Sequence, residues 1–208
     1  MHWISSRIPP RLKHSMAAQR IGLFGGSFDP VHLGHVMMAR AALEELRLDR
    51  LYIIPAAQSP FKPDQPPAPA DARVQLLRLA FDGQTNCEID TQELEREGVS
   101  FTIDTVHAYA ERLGGAELFC LIGADHVPTL PQWRGAEALA PLVTFVVVPR
   151  PGGEPVADFP EPFRGQVLRG QPMGISASDI RQRLRVGKKI DHLTPPRVAE
   201  ALKTMHLY

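Results

Sequence analysis

Cysteine is scarce in this chain: only Cys87 and Cys120 occur in 208 residues. They sit in apolar segments and form no CxxC pair. That argues against a disulfide scaffold and for buried free thiols in a reducing, cytoplasmic compartment. No apolar run approaches the roughly 18 residues of a membrane span, so no membrane anchor is expected. Net charge is also missing, because 23 basic and 23 acidic residues cancel. With a pI near 7.1, neither nucleic acid nor an anionic membrane is expected as the main partner, although a local basic pocket is compatible with this balance. The first twenty residues hold Arg7, Arg11, Lys13 and Arg20 but no acid, and they lack the apolar core of a secretory signal. Residues 1–19 are expected to be a disordered basic tail, or an upstream extension if translation begins at Met16. An organelle-targeting peptide is the remaining alternative.

What the chain does have is enough apolar material for one substantial core, with 44% of its residues hydrophobic. Residues 20–208 are therefore expected to form a single domain, with a helical C-terminal portion from about residue 175. Strand-like runs occur at IGLFG (from Ile21), LYIIP (from Leu51), CEID (from Cys87), LFCLIG (from Leu118) and TFVVVPR (from Thr144). The last two are almost unbroken in apolar character, which fits parallel strands covered on both faces. Helical spacing marks Leu33–Arg47, Asp71–Leu79, Thr102–Leu113 and Ser178–Val186. A final helix is capped at Thr194-Pro195 and runs through Lys203. Six prolines between Pro55 and Ala70 predict an extended surface loop placed as a lid. This alternation predicts an α/β fold: a doubly wound, Rossmann-like, mostly parallel sheet with helices on both faces. Ligands of such sheets bind beyond the carboxyl ends of the strands, near a topological switch point.

The stretch GLFGGSFDPVHLGH, Gly22 to His35, leaves the first strand at such an end. Gly25 and Gly26 give room for close backbone approach and freedom to take positive φ. Pro30 sets the entry to a helix whose N-terminus favours an anion, a term of about 0.3–1 kcal/mol when exposed. His32 and His35, three apart, share a helix face, and each imidazole can donate to a phosphate oxygen. The glycines match neither GxGxxG nor GxxxxGK[ST], which excludes a dinucleotide fingerprint and a P-loop. Zinc is not expected, since no third ligand stands at recognisable spacing.

Taken whole, GGSFDPVHLGH resembles the signature of the nucleotidylyltransferase superfamily, in which a (T/H)xGH pair grips a nucleotide triphosphate. The second half of that signature, an ISxxxxR-type motif, has its counterpart in ISASDIR, Ile175 to Arg181. Further segments are IIPAAQSPFKP (from Ile53), GVSFTIDTV (from Gly98), LIGADHVPTLPQW (from Leu121) and VVVPRPG (from Val146). In this order they resemble bacterial-type nicotinate-mononucleotide adenylyltransferases, and the resemblance runs from Ile21 to the last helix. It implies adenylyl transfer from ATP to nicotinic acid mononucleotide in NAD biosynthesis, giving deamido-NAD and pyrophosphate, with Mg2+ bound mainly through the ATP phosphates. The other readings are a pantetheine-phosphate adenylyltransferase, a cytidylyltransferase, or a nucleotide-sensing module without turnover. A homo-oligomer is left open.

The resemblance also implies roles. His32, His35 and Arg181 would be catalytic, holding the ATP phosphates. Gly25, Gly26, Ser27, Phe28, Gly123, Asp125, Ile175, Ser176 and Ser178 would complete the ATP site, with Asp125 accepting from ribose hydroxyls. Lys62, Ser100, Phe101, Thr102, Trp133 and Arg150 would bind the acceptor mononucleotide. Backbone N–H groups at Ser100–Thr102, with the Thr102 hydroxyl, would meet the nicotinate carboxylate, and Trp133 would stack on the pyridine ring. Phe61 stands where relatives often carry histidine, Phe101 where tyrosine is frequent, and Arg134 where an aromatic is often seen.

Overall fold

The computed structural model describes residues 18–147, 158–170 and 173–208. The expectations for the basic tail at residues 1–17 and for Arg150 lie outside them. The side-chain alternation of extended backbone builds the fold. In β1 (Arg20–Gly26), Ile21 and Leu23 point into one buried cluster and Phe24 into another. In β2 (Arg50–Pro55), Tyr52 and Ile54 join the first cluster, and Leu51 and Ile53 the second. β4 (Glu117–Ile122) divides in the same way, with Leu118, Cys120 and Ile122 against Phe119 and Leu121. Each strand is thus apolar on both sides, which requires helices over both faces.

One layer is formed by α1 (Leu33–Glu45), α2 (Ala70–Ala80), α6 (Ala177–Arg185) and α7 (Pro196–Met205), which send Val36, Leu77, Ile180 and Leu202 into a common cluster. The opposite layer holds α4 (Thr102–Arg112), a 3-10 segment (Ala124–Gln132) and α5 (Ala136–Leu139), which supply Val106, Leu130 and Leu139. With β3 (Cys87–Ile89), β5 (Val143–Val147) and β6 (Arg164–Val167), the sheet order is β3-β2-β1-β4-β5-β6. All five pairings are parallel. The chain steps outward from β1 to β3 and then crosses back to β4, so the switch point lies between β1 and β4.

Three elements have no counterpart in the sequence reading: α3 (Gln92–Arg96), α5 and β6. All four residues of β6 are exposed on the sheet edge, so no apolar run marks it. Two prolines, Pro128 and Pro131, keep the segment after β4 in 3-10 form. Burial pushes the Cys120 thiol up to about 12 and the half-buried Cys87 up to about 11, and both are free thiols. Among the described residues no helix is long and apolar enough to cross a membrane.

Candidate active site

A cleft of about 510 Å³ opens at the switch point. Gly25, Gly26 and Ser27 border it from the end of β1, and Gly123 and Asp125 from beyond β4. A β-carbon placed on Gly25 would meet nothing within 4 Å, so a ligand can approach this backbone. Neither Gly25 nor Gly26 takes a positive φ, contrary to the expectation. Both remain in regular strand, and the left-handed residue of the turn is Phe28 at φ 45. An L-residue there costs roughly 1–2 kcal/mol relative to the right-handed region, so the turn has to be held by its surroundings.

Phe28 is 2% exposed. Its ring lies behind the cleft, edge-on to Phe24 at 5.3 Å and to His35 at 4.9 Å. His35 borders the cleft. His32 is the N-cap of α1 and packs on His35, with ring centroids 3.7 Å apart and planes at 21°. The His32 backbone N–H donates to His35 Nδ1 at 3.2 Å. An accepting Nδ1 carries no proton in the neutral ring, so Nε2–H is the donor His35 offers. The first backbone donor of α1 is already used, because Leu33 N–H donates to Leu193 O at 2.9 Å. Less of the helix start is therefore open to an anion than the sequence alone implies.

The second motif docks on the first. Arg181 Nη1 donates to Asp29 O at 2.6 Å and lies 3.7 Å from Asp29 Oδ2, while Nη2 donates to Ser178 Oγ at 3.3 Å. Ser176 caps α6 through Ser178 N–H at 3.2 Å. Ile175 Cβ lies 3.8 Å from the position a β-carbon on Gly34 would take, between the two histidines in sequence. Although 140 residues separate His35 from Ile175, the two motifs meet at Asp29 and at Gly34.

The far end of the cleft is aromatic. Phe61, half exposed in the proline-rich loop, lies 4.5 Å from His126 and 5.6 Å from Trp133. Trp133 is anchored by its Nε1–H to Thr129 Oγ1 at 3.2 Å. A side cavity of about 320 Å³ lies between Phe61, Phe101, Thr102 and Trp133, with the Arg134 guanidinium 4.5 Å over the Phe101 ring. Lys62 borders the main cleft. Ser100 borders the cleft as well, with its polar groups already engaged. Its N–H donates to Gln58 O at 2.9 Å and its hydroxyl accepts from Ala57 N–H at 3.0 Å. With the short bridge between Gln58 and Val99 these bonds pin the loop, and Thr102, at the start of α4, borders the cleft beside it.

Two more charged residues shape the site. Arg73 is 2% exposed, and burial pulls its pKa down, opposed by the nearby Asp29. Its Nη1 donates to Ser27 O and Ala56 O and its Nε to Ala68 O, each at 2.9 Å. Glu93 also borders the cleft. Burial pushes its carboxyl up, opposed by hydrogen bonds from Thr105 and Ser100 and by Arg96. The position of Arg73 among Val74, Leu76, Leu77 and Ala80 on the buried face of α2 is a signal the sequence carried. Glu93 sits in a five-residue helix among other charges, where no periodicity shows.

The family model described as cytidylyltransferase-like matches residues 23–183. A relative from Gemmatimonas aurantiaca, named "probable nicotinate-nucleotide adenylyltransferase", is 42% identical, covering 91% of this chain and 92% of its own. One of the same name from Bordetella pertussis is 40% identical over 93% of this chain and all of its own. Among solved structures, the nicotinic acid mononucleotide adenylyltransferase of Plasmodium falciparum, complexed with NaAD, superposes with TM-score 0.76 at 17% identity, over 91% of this chain and 97% of that one. At that identity the match speaks for the fold alone. A chain that carries both motifs on a 3-2-1-4-5-6 sheet, and matches these relatives over nearly their whole length, belongs to the cytidylyltransferase-like family and, within it, to the nicotinate-nucleotide adenylyltransferases.

Proposed function

We propose that this chain transfers the adenylyl group of ATP to nicotinic acid mononucleotide. A phosphate oxygen of the acceptor forms a bond to the α-phosphorus. The bond from that phosphorus to the α,β-bridging oxygen breaks, and pyrophosphate leaves with the electron pair. The products are deamido-NAD and pyrophosphate, a step of NAD biosynthesis. The observation that carries this reading is the meeting of the two motifs, with Arg181 on Asp29 at 2.6 Å and Ile175 against Gly34.

The nucleophile is already an anion at neutral pH, so the reaction needs alignment and charge neutralisation more than a general base. His35, with Nε2–H as donor, and Arg181 supply positive or donor character to the phosphates, and His32 orients His35 by stacking and by its N–H. Ser176 and Ser178 hold Arg181 and the start of α6. Gly25, Gly26 and Ser27 form the floor of the nucleotide site, Phe28 supports it from behind, and Gly123 with Asp125 faces the ribose. The acceptor takes the aromatic end, with its pyridine ring at Trp133, its carboxylate at the start of α4 beside Thr102 and Phe101, and its phosphate towards Lys62. Among the described residues no group of three or more His, Cys, Asp or Glu could hold a metal by itself. Magnesium would enter with the substrate, bound mainly through the ATP phosphates, where it would neutralise their charge. The reaction is assigned to the cytoplasm.

The test is a pyrophosphate-release assay with ATP and three acceptors: nicotinic acid mononucleotide, its amide, and pantetheine phosphate. The expected result is release with the acid, at a kcat/KM about tenfold or more above the amide, the factor for one well-placed charged contact. Release with pantetheine phosphate alone would reassign the acceptor. Release with none would leave a nucleotide-binding module.

A further inference from the structure

We propose that Tyr208 is a positioning residue that keeps the Asp29 carboxylate in no more than a loose 3.7 Å contact with Arg181, and so leaves the guanidinium charge available to the triphosphate. This rests on the reading above, in which Arg181 meets the ATP phosphates.

Asp29 is the point where four parts of the chain converge. It lies in the turn after β1 that contains the left-handed Phe28. Its Oδ1 accepts the Tyr208 hydroxyl at 2.6 Å and the Ala68 N–H at 3.2 Å, from the base of the proline-rich loop. Its backbone oxygen accepts from Arg181, and its Oδ2 stands 3.7 Å from the same Nη1. Arg73 holds the carbonyls of Ser27 and Ala68 on the other side of this carboxylate. Tyr208 reaches Asp29 because His206 ends α7 in the left-handed conformation, φ 50, and turns Leu207 and Tyr208 back onto the core. Burial and the Asp29 carboxylate push the phenol well above its ordinary range, so it remains a proton donor at any physiological pH.

The groups facing Asp29 are Tyr208, Arg181, Arg73 and the Ala68 amide. The carboxylate can either stay oriented on Tyr208 and Ala68 or rotate to form a close, forked pair with Arg181. The second arrangement is the stronger charge-assisted geometry, and it would neutralise the cation that the phosphates require. One hydroxyl, supplied from 179 positions along the chain, biases the choice toward the first.

Three full-length variants test this: Tyr208→Phe, Asp29→Asn, and the pair combined. The readouts are ATP affinity by titration calorimetry, without acceptor, and KM and kcat in the pyrophosphate assay. Tyr208→Phe is expected to weaken ATP about tenfold, as for loss of one hydrogen bond to a charged group. Its acceptor KM should stay within about twofold, because Tyr208 bonds Asp29 and the acceptor end is built around Phe61, Phe101 and Trp133. Adding Asp29→Asn should restore ATP affinity towards that of the wild type, since the competing charge is gone. A purely structural role predicts the reverse, a double variant worse than either single one. Wild-type ATP affinity in Tyr208→Phe, or no recovery in the double variant, overturns the proposal. The calorimetric arm does not involve the acceptor, so a wild-type chain that binds ATP yet turns over no mononucleotide refutes the proposed reaction and leaves the Tyr208 comparison standing.

Discussion

At the scale of single residues, the two histidines of the opening motif divide the work. Under the proposed reaction, His35, which borders the cleft, is the direct phosphate contact, and His32, 7% exposed, acts through its stacking on His35. His35→Ala should lower kcat by about 10²–10³, the usual loss for one preorganised donor to a developing oxyanion. The acceptor KM should change by less than about threefold, because the aromatic end of the cleft is built by Phe61, Phe101 and Trp133 on other elements. Steady-state kinetics with each substrate varied in turn checks both numbers. A wild-type-like kcat would remove His35 from the reaction.

At the scale of elements, α2 matters to the cleft more than its distance from the motifs suggests. Arg73 enters it from the buried face of the helix and binds three carbonyls belonging to the β1–α1 turn and the proline-rich loop. Arg73→Met keeps most of the packing volume but strands those three acceptors. At roughly 1–3 kcal/mol for each buried group left unsatisfied, partly relieved by water, a loss of about 3 kcal/mol in unfolding free energy is expected, to be measured by urea denaturation. Strands β1, β2, β4 and β5 and the helices flanking them were legible because alternation and helical spacing record burial. β6, with every residue exposed, was not. The sequence points to Gly25 and Gly26 as the residues free to take positive φ, whereas Phe28 carries it. The bonds that tie Ser100 to Gln58 and Ala57 join segments about forty residues apart, which no local pattern encodes.

At the scale of the whole molecule, the C-terminal helices do not form a separate body. Ile180, Ile190, Val198 and Leu202 share one buried cluster with Phe24, Leu51 and Phe119. The core on the other face of the sheet contains the packing partners of Trp133. A single cooperative transition is therefore expected, with Trp133 fluorescence in a Trp3→Phe background and far-ultraviolet helical signal coinciding in denaturant. Separate midpoints would divide the chain at the sheet. The interlocking has a temporal consequence as well. A ribosome delivers β1, the histidines and the whole β1–β5 sheet before it delivers Arg181, and it delivers Tyr208 later still. A nascent chain can thus shape the groove early, whereas the guanidinium and the hydroxyl that meet at Asp29 emerge only after the sheet strands they lock together.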